Sequence, residues 1–325
     1  MAASVAYVVW NARDGGLQPS DVEGLASFLA GTAGLVVSVV GLRKPVEGND
    51  ATLARDRART LARQVEMAET PVHRQLLGED TKRINLVYFL HPGAARAADA
   101  PLMGRMFDDP AGVALPDIVN FYRSTCPRRL VLTGVAGAGK TVLALELLLA
   151  LIEGRGEDDP VPVRVSLARW DTDQPLPDLL TQRLVEAYDW PQDLATGLVE
   201  QGLVLPVLDG LDEMDPVRPD GTPDPDAPRA RAALEALNAY QEKREAGPLV
   251  LTCRTGHYDA LALGATGTLI DAARVQIAPV RTDTAADYLR ARARDLPRWQ
   301  RLLTHLSTAS AAVDPVAALL PRRGG

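Results

Sequence analysis

The sequence predicts an α/β protein: three α/β/α layers around a mainly parallel sheet, preceded by an N-terminal transmembrane helix and a helical stalk. Three observations lead there. From Arg128 onward, short apolar runs alternate with longer helical patterns, as expected of parallel strands covered on both faces by crossover helices. A glycine-rich turn joins the first of these runs to a strongly apolar helix. Upstream, an uncharged stretch of nineteen residues, Gly24–Leu42, is followed by a charged helical pattern.

The elements follow in chain order. RLVLTG (129–134) reads as a buried strand, and TVLALELLLALIEG (141–154) as a helix stopped by Gly154. VPVRVSL (161–167) is a strand, LPDLLTQRLVEAY (176–188) a helix and LVLPVLD (203–209) a strand. A Pro/Asp/Gly-rich loop covers 216–228, and RARAALEALNAYQEKRE (229–245) reads as a helix. PLVLTCR (248–254) and RVQIAPV (274–280) are the last strands. Before this region, ATLARDRARTLARQVEMAE (51–69) carries Leu53, Leu61 and Val65 at near-helical spacing between charges, an amphipathic helix. INLVYFL (84–90) is a strand or an extended packing segment, and 91–115 is loop-like. The resulting domains are a head (1–20), a transmembrane helix (21–45), a helical stalk or linker (46–127), an α/β domain (128–280) and an incomplete helical domain (281–325).

Gly24–Leu42 is long enough to reach across a hydrocarbon layer. Asp14, Asp21 and Glu23 precede it without a basic n-region, which argues against a secretory signal. Arg43, Lys44, Arg55, Arg57, Arg59 and Arg63 follow it, so the C-terminal side is the cytoplasmic one. The expected location is the plasma membrane, held by residues 24–42 with the α/β domain in the cytoplasm. The competing reading is a buried helix of a cytoplasmic N-terminal module. A net charge of −7 gives no direct nucleic-acid signal. Cys126 and Cys253 fit no metal-ligand spacing and read as reduced thiols, and His257 reads as a loop histidine.

Gly134-Val135-Ala136-Gly137-Ala138-Gly139-Lys140-Thr141 fits G-x-x-x-x-G-K-[ST], with a strand before it and a helix after. Glycines let the backbone wrap so that its N–H groups face phosphate oxygens, and the helix N-terminus adds donors. Lys140 is expected on the β- and γ-phosphates of a nucleoside triphosphate, and Thr141 on Mg²⁺. The strand ending in Asp209 supplies a Walker-B carboxylate for the same ion, with Asp212 and Glu213 on the turn behind it. Either of these two could orient or deprotonate an attacking water, with Glu213 the preferred choice. Arg254, closing another apolar strand, is a candidate sensor of the γ-phosphate.

GVAGAGKT, VRVSLARW, VLPVLDGLDEMD and PLVLTCR, in that order, resemble the NACHT subgroup of STAND P-loop NTPases, especially those of high-GC bacteria. The resemblance implies an ATP- or GTP-dependent switch, off with bound diphosphate and on when it exchanges and self-oligomerises, with slow hydrolysis. Motif matching gives Asp212 and Glu213 the hydrolytic role and Arg254 the sensor role. APVRTDTAADYL (278–289) resembles the opening of the small helical domain that follows such a core, but the chain ends at DPVAALLPRRGG without the next expected domains. The expectation is therefore a chain truncated after the NTPase core. No N-K-x-D element for guanine is present, which favours ATP over GTP only by default. Two other readings stay open. One is an AAA+-like remodelling ATPase, with Arg290, Arg292 and Arg294 as finger or sensor candidates. The other is a non-hydrolysing nucleotide-binding module or membrane-tethered interaction module.

Overall fold

The computed structural model describes residues 48–77, 84–91, 101–106, 117–216, 224, 226–242, 245–264, 267–292, 299–300 and 304. The head and the expected membrane helix lie outside the described residues. Among the described residues, no helix is long and apolar enough to cross a membrane. The chain divides into two units at Ala54/Arg55, and the core belongs to the second.

Among the described residues, the elements that position the site are these. Helix α1 spans Gly48–Leu77. Strands β1 (Val87–Leu90) and β2 (Met103–Arg105) precede helix α2 (Ile118–Ser124). Strand β3 (Arg129–Gly134) leads into α3 (Lys140–Glu153). Strand β4 (Val161–Ser166) is followed by α4 (Leu176–Tyr188) and α5 (Gln192–Glu200). Strand β5 (Val204–Asp209) runs into a one-turn 3₁₀ helix, Leu211–Glu213, and then α6 (Pro228–Ala239). A small hairpin, β6 (Gln241–Glu242) and β7 (Glu245–Ala246), precedes β8 (Leu249–Arg254), α7 (Thr255–Ala262), β9 (Ala273–Ile277) and α8 (Thr282–Arg292).

The seven-stranded sheet has the order β2-β1-β9-β3-β8-β5-β4. Its five right-hand strands, β9 to β4, are parallel, while β1 and β2 add antiparallel pairs at one edge. All six residues of β3 are buried, as a strand covered on both faces requires. Helix α3 lies against β3, β4, β5 and β8 and buries Leu143, Ala144, Leu145, Leu147 and Leu148. At the sheet's opposite end, the buried Arg129 donates to the carbonyls of Ile270 (2.9 Å) and Leu237.

Three local expectations change. The segment 91–115 is not all loop: Met103–Arg105 pairs with β1, a strand too short to show a period of two. Helix α6 ends at Ala239, not near 245. Its buried stripe, Ala230, Ala233, Leu234 and Leu237, stops there, and the following QEKRE offers no apolar residue to bury, so the chain turns into the hairpin. His257 is not a loop histidine but a buried residue of α7, and burial lowers its pKa.

The amphipathic helix is present, but it is not a free stalk. Ala58, Leu61, Ala62 and Val65 are buried in the same hydrophobic core as the sheet. Polar contacts hold its length: Trp190 Nε1 donates to Gln64 Oε1 (2.6 Å), and His73 Nε2 lies 3.0 Å from Glu146 Oε2 on α3. The spacing of Leu61 and Val65 gave the helix. Where the helix docks is a long-range fact, because Trp190 lies 126 residues from its partner Gln64 in sequence.

Leu61→Ala removes a fully buried side chain from this contact and is expected to cost about 3 kcal/mol of stability, read by urea denaturation of the full chain. An unchanged midpoint would mean that α1 does not dock on the domain.

Candidate functional site

The site forms at the C-terminal ends of the parallel strands, where open α/β sheets bind ligands. Parallel register aligns them: Gly134 pairs with Arg254, Leu208 with Leu251, and Ser166 with Asp209. Since β8 lies between β3 and β5, Thr252 and Arg254 stand between the glycine-rich loop and the acidic turn.

Residues Val135, Ala136 and Gly137 are exposed at the rim, and Ala138, Gly139, Lys140 and Thr141 are half-buried. Gly139 caps α3 with φ of 93°, a left-handed conformation, and an added Cβ would come within 2.7 Å of Leu86 Cδ1. Only glycine meets both conditions. The Lys140 ammonium lies 3.4 Å from the Gly134 carbonyl and 3.3 Å from that of Val135, turned over its own loop.

Asp209 is the hub. The Thr252 hydroxyl donates to its Oδ1 at 2.6 Å, and the Thr141 hydroxyl lies 3.3 Å from the same oxygen. Thr252 in turn accepts from the Gly210 N–H at 2.9 Å, which holds the bend at φ 88° where the strand leaves the sheet. Arg164 of β4 sits 3.6 Å from Asp209 Oδ2. Asp212 is buried and gives both oxygens to Arg254, to its backbone N–H at 2.9 Å and its Nε at 2.8 Å. Glu213 is exposed, and partial desolvation, then Asp212 and Asp209, push its carboxyl pKa up. Asp215, also buried, caps α6 by accepting from the N–H groups of Arg229 (3.0 Å) and Ala230 (2.8 Å).

The structure brings Gly134–Thr141, Asp209, Asp212, Glu213 and Arg254 to one edge. Sequence reasoning assigned no role to Thr252, Arg164 or Asp215. Thr252 stood one residue from a named arginine, but its partner is set by strand order. Asp215 closed the quoted DGLDEMD run, and a cap is legible only once α6 is placed.

A hydroxyl and a carboxylate oxygen 3.3 Å apart are hard donors of the kind Mg²⁺ takes. Among the described residues, no group of three or more His, Cys, Asp or Glu side chains could hold a metal ion by itself. These two groups therefore fit an ion that completes its coordination with phosphate oxygens and water. Beside the loop, Leu86 also lines an apolar pocket of about 290 Å³ with Phe89, Met103, Pro279 and Val280.

A strand, a glycine-rich turn and a helix, facing a strand-end carboxylate across one intervening strand, define a P-loop NTPase module that binds nucleotide. The NACHT domain model matches residues 128–295, more than half of the chain, and the chain belongs to the NACHT family. A comparison with curated proteins returns no match.

Gly139→Ala is expected to cost about 1–2 kcal/mol through its positive φ alone and to weaken nucleotide binding more than ten-fold, read by denaturation and by titration with a fluorescent nucleotide. Glu213 gives a pH signature. Its pKa is higher folded than unfolded, so its ionisation opposes folding as pH rises above the unfolded value, about 4.3. Glu213→Gln should therefore raise the melting temperature of the nucleotide-free protein at pH 7, and the difference should vanish near pH about 4.

Proposed function

We propose that this chain is a nucleotide-dependent signalling or defence switch that binds ATP, or GTP, with Mg²⁺ and hydrolyses it slowly. The observation that carries this reading is the meeting of Thr141 and Asp209 at 3.3 Å beside the glycine-rich loop. In it, the N–H groups of 134–141 and Lys140 hold the phosphates. Thr141 and Asp209 would hold the ion, which would supply charge neutralisation to the phosphates. Glu213 orients or deprotonates water. It is favoured over Asp212 because Asp212 is buried and held by Arg254, whereas Glu213 is exposed with a raised pKa suited to a base. Arg254, half-exposed at the same edge, reports the γ-phosphate. The Leu86 pocket is the proposed seat of the base.

The family likeness supports self-oligomerisation on nucleotide exchange. Membrane attachment through Gly24–Leu42, with this domain on the cytoplasmic side, rests on the uncharged stretch and the basic residues behind it. The remodelling-ATPase reading is the weaker one: Arg290 pairs with Asp287 at 2.6 Å on an exposed helix face, an ordinary surface contact.

Lys140→Ala is expected to weaken triphosphate binding at least ten-fold, and Asp209→Ala to keep nucleotide but lose its Mg²⁺ dependence, measured by titration alongside hydrolysis and oligomer size. Equal triphosphate binding by wild type and Lys140→Ala would sink the proposal.

A further inference from the structure

Helix α1 reaches the metal site through one buried carboxylate. Glu69 is 3% exposed at its side chain, and its Oε2 accepts from both Nε and Nη2 of Arg164, each at 3.1 Å. The third nitrogen of that guanidinium, Nη1, is the one 3.6 Å from Asp209 Oδ2. The Arg164 backbone is held as well, since its carbonyl accepts from Arg183 Nε at 3.1 Å. A single arginine is thus divided between a carboxylate on α1 and the carboxylate at the centre of the site.

That division has a consequence for any cation at Asp209. A guanidinium matches a carboxylate best as a two-pronged pair. Here the closer contact goes to Glu69, and 3.6 Å to Asp209 is beyond hydrogen-bond range. With Glu69 in place, Arg164 and Glu69 form a neutral pair beside Asp209, and the Asp209 charge stays available. Without Glu69, Arg164 carries an unbalanced positive charge next to Asp209 and can close on it, in direct competition with a divalent ion.

We propose that Glu69 is a positioning residue for the metal site: by holding Arg164 off Asp209, it makes divalent-cation affinity depend on the docking of helix α1. This rests on the reading of Thr141 and Asp209 as the ion's ligands. Anything that pulls α1 away loosens Glu69 from Arg164 and weakens the ion. By reciprocity, ion binding favours the docked helix by the same factor.

The test uses the full chain with ADP and Mn²⁺, the ion followed by electron paramagnetic resonance. Glu69→Gln is expected to raise the half-saturating Mn²⁺ concentration about ten-fold, while ADP affinity in EDTA is unchanged. Adding Arg164→Gln should return Mn²⁺ affinity to near wild type, because the competing cation is gone. Arg164→Gln alone should bind Mn²⁺ at least as tightly as wild type, and it serves if Glu69→Gln does not fold. Three results overturn the proposal: unchanged Mn²⁺ affinity in folded Glu69→Gln, an equal loss of ADP in EDTA, or weaker Mn²⁺ binding by Arg164→Gln. If the wild type binds no Mn²⁺ with ADP, or if Asp209→Ala leaves that binding unaltered, the ligand reading itself fails and takes this inference with it.

Discussion

The arrangement depends on one hydroxyl. Thr252 is buried near the end of β8, donates to Asp209 on β5 and accepts from the N–H of Gly210. With both hydrogen-bonding functions of the side chain used, it fixes where the acidic turn leaves the sheet and which way the Asp209 carboxylate faces. Because β8 also pairs with β3, the same strand ties that carboxylate to the strand that feeds the glycine-rich loop. Thr141, at the start of α3, then meets Asp209 from the other side. Remove the order β3-β8-β5 and each motif survives as sequence, but they no longer face one another.

Charge at this edge is nearly balanced, and the small imbalance has a location. Asp212 is matched by Arg254, and Asp209 by two hydroxyls and the distant prong of Arg164. Glu213 is partly desolvated and sits beside Asp212 and Asp209, which is why its proton is held more tightly than usual. An acid left unbalanced in a functional edge opposes folding slightly, and such sites are where local stability is commonly given up for chemistry.

Helix α1 changes the picture of how the chain is organised. Read along the sequence, it joined a membrane segment to a separate domain. In three dimensions its apolar stripe closes part of the core, and its polar residues reach β4, α3 and the loop after α4. The Glu69 carboxylate on this helix is buried against Arg164, and separating the two would leave a charge unpaired.

Much of this was legible beforehand. The strands of the parallel sheet are apolar enough to read from composition alone, and the glycine-rich loop, Asp209, Asp212, Glu213 and Arg254 declare themselves by spacing, since each belongs to a motif of a few consecutive residues. The short strand β2, the end of α6 and the burial of His257 were not legible, because three-residue pairings and tertiary burial leave no local period. The sequence by itself determined the kind of module and the loop that would cradle phosphate. Only the tertiary structure decided that Thr252 would orient Asp209, that Asp212 would be held by Arg254, and that Glu69 would share Arg164 with the site. Those partners lie forty to a hundred residues apart, and strand order and helix docking, not neighbouring residues, bring their side chains within reach.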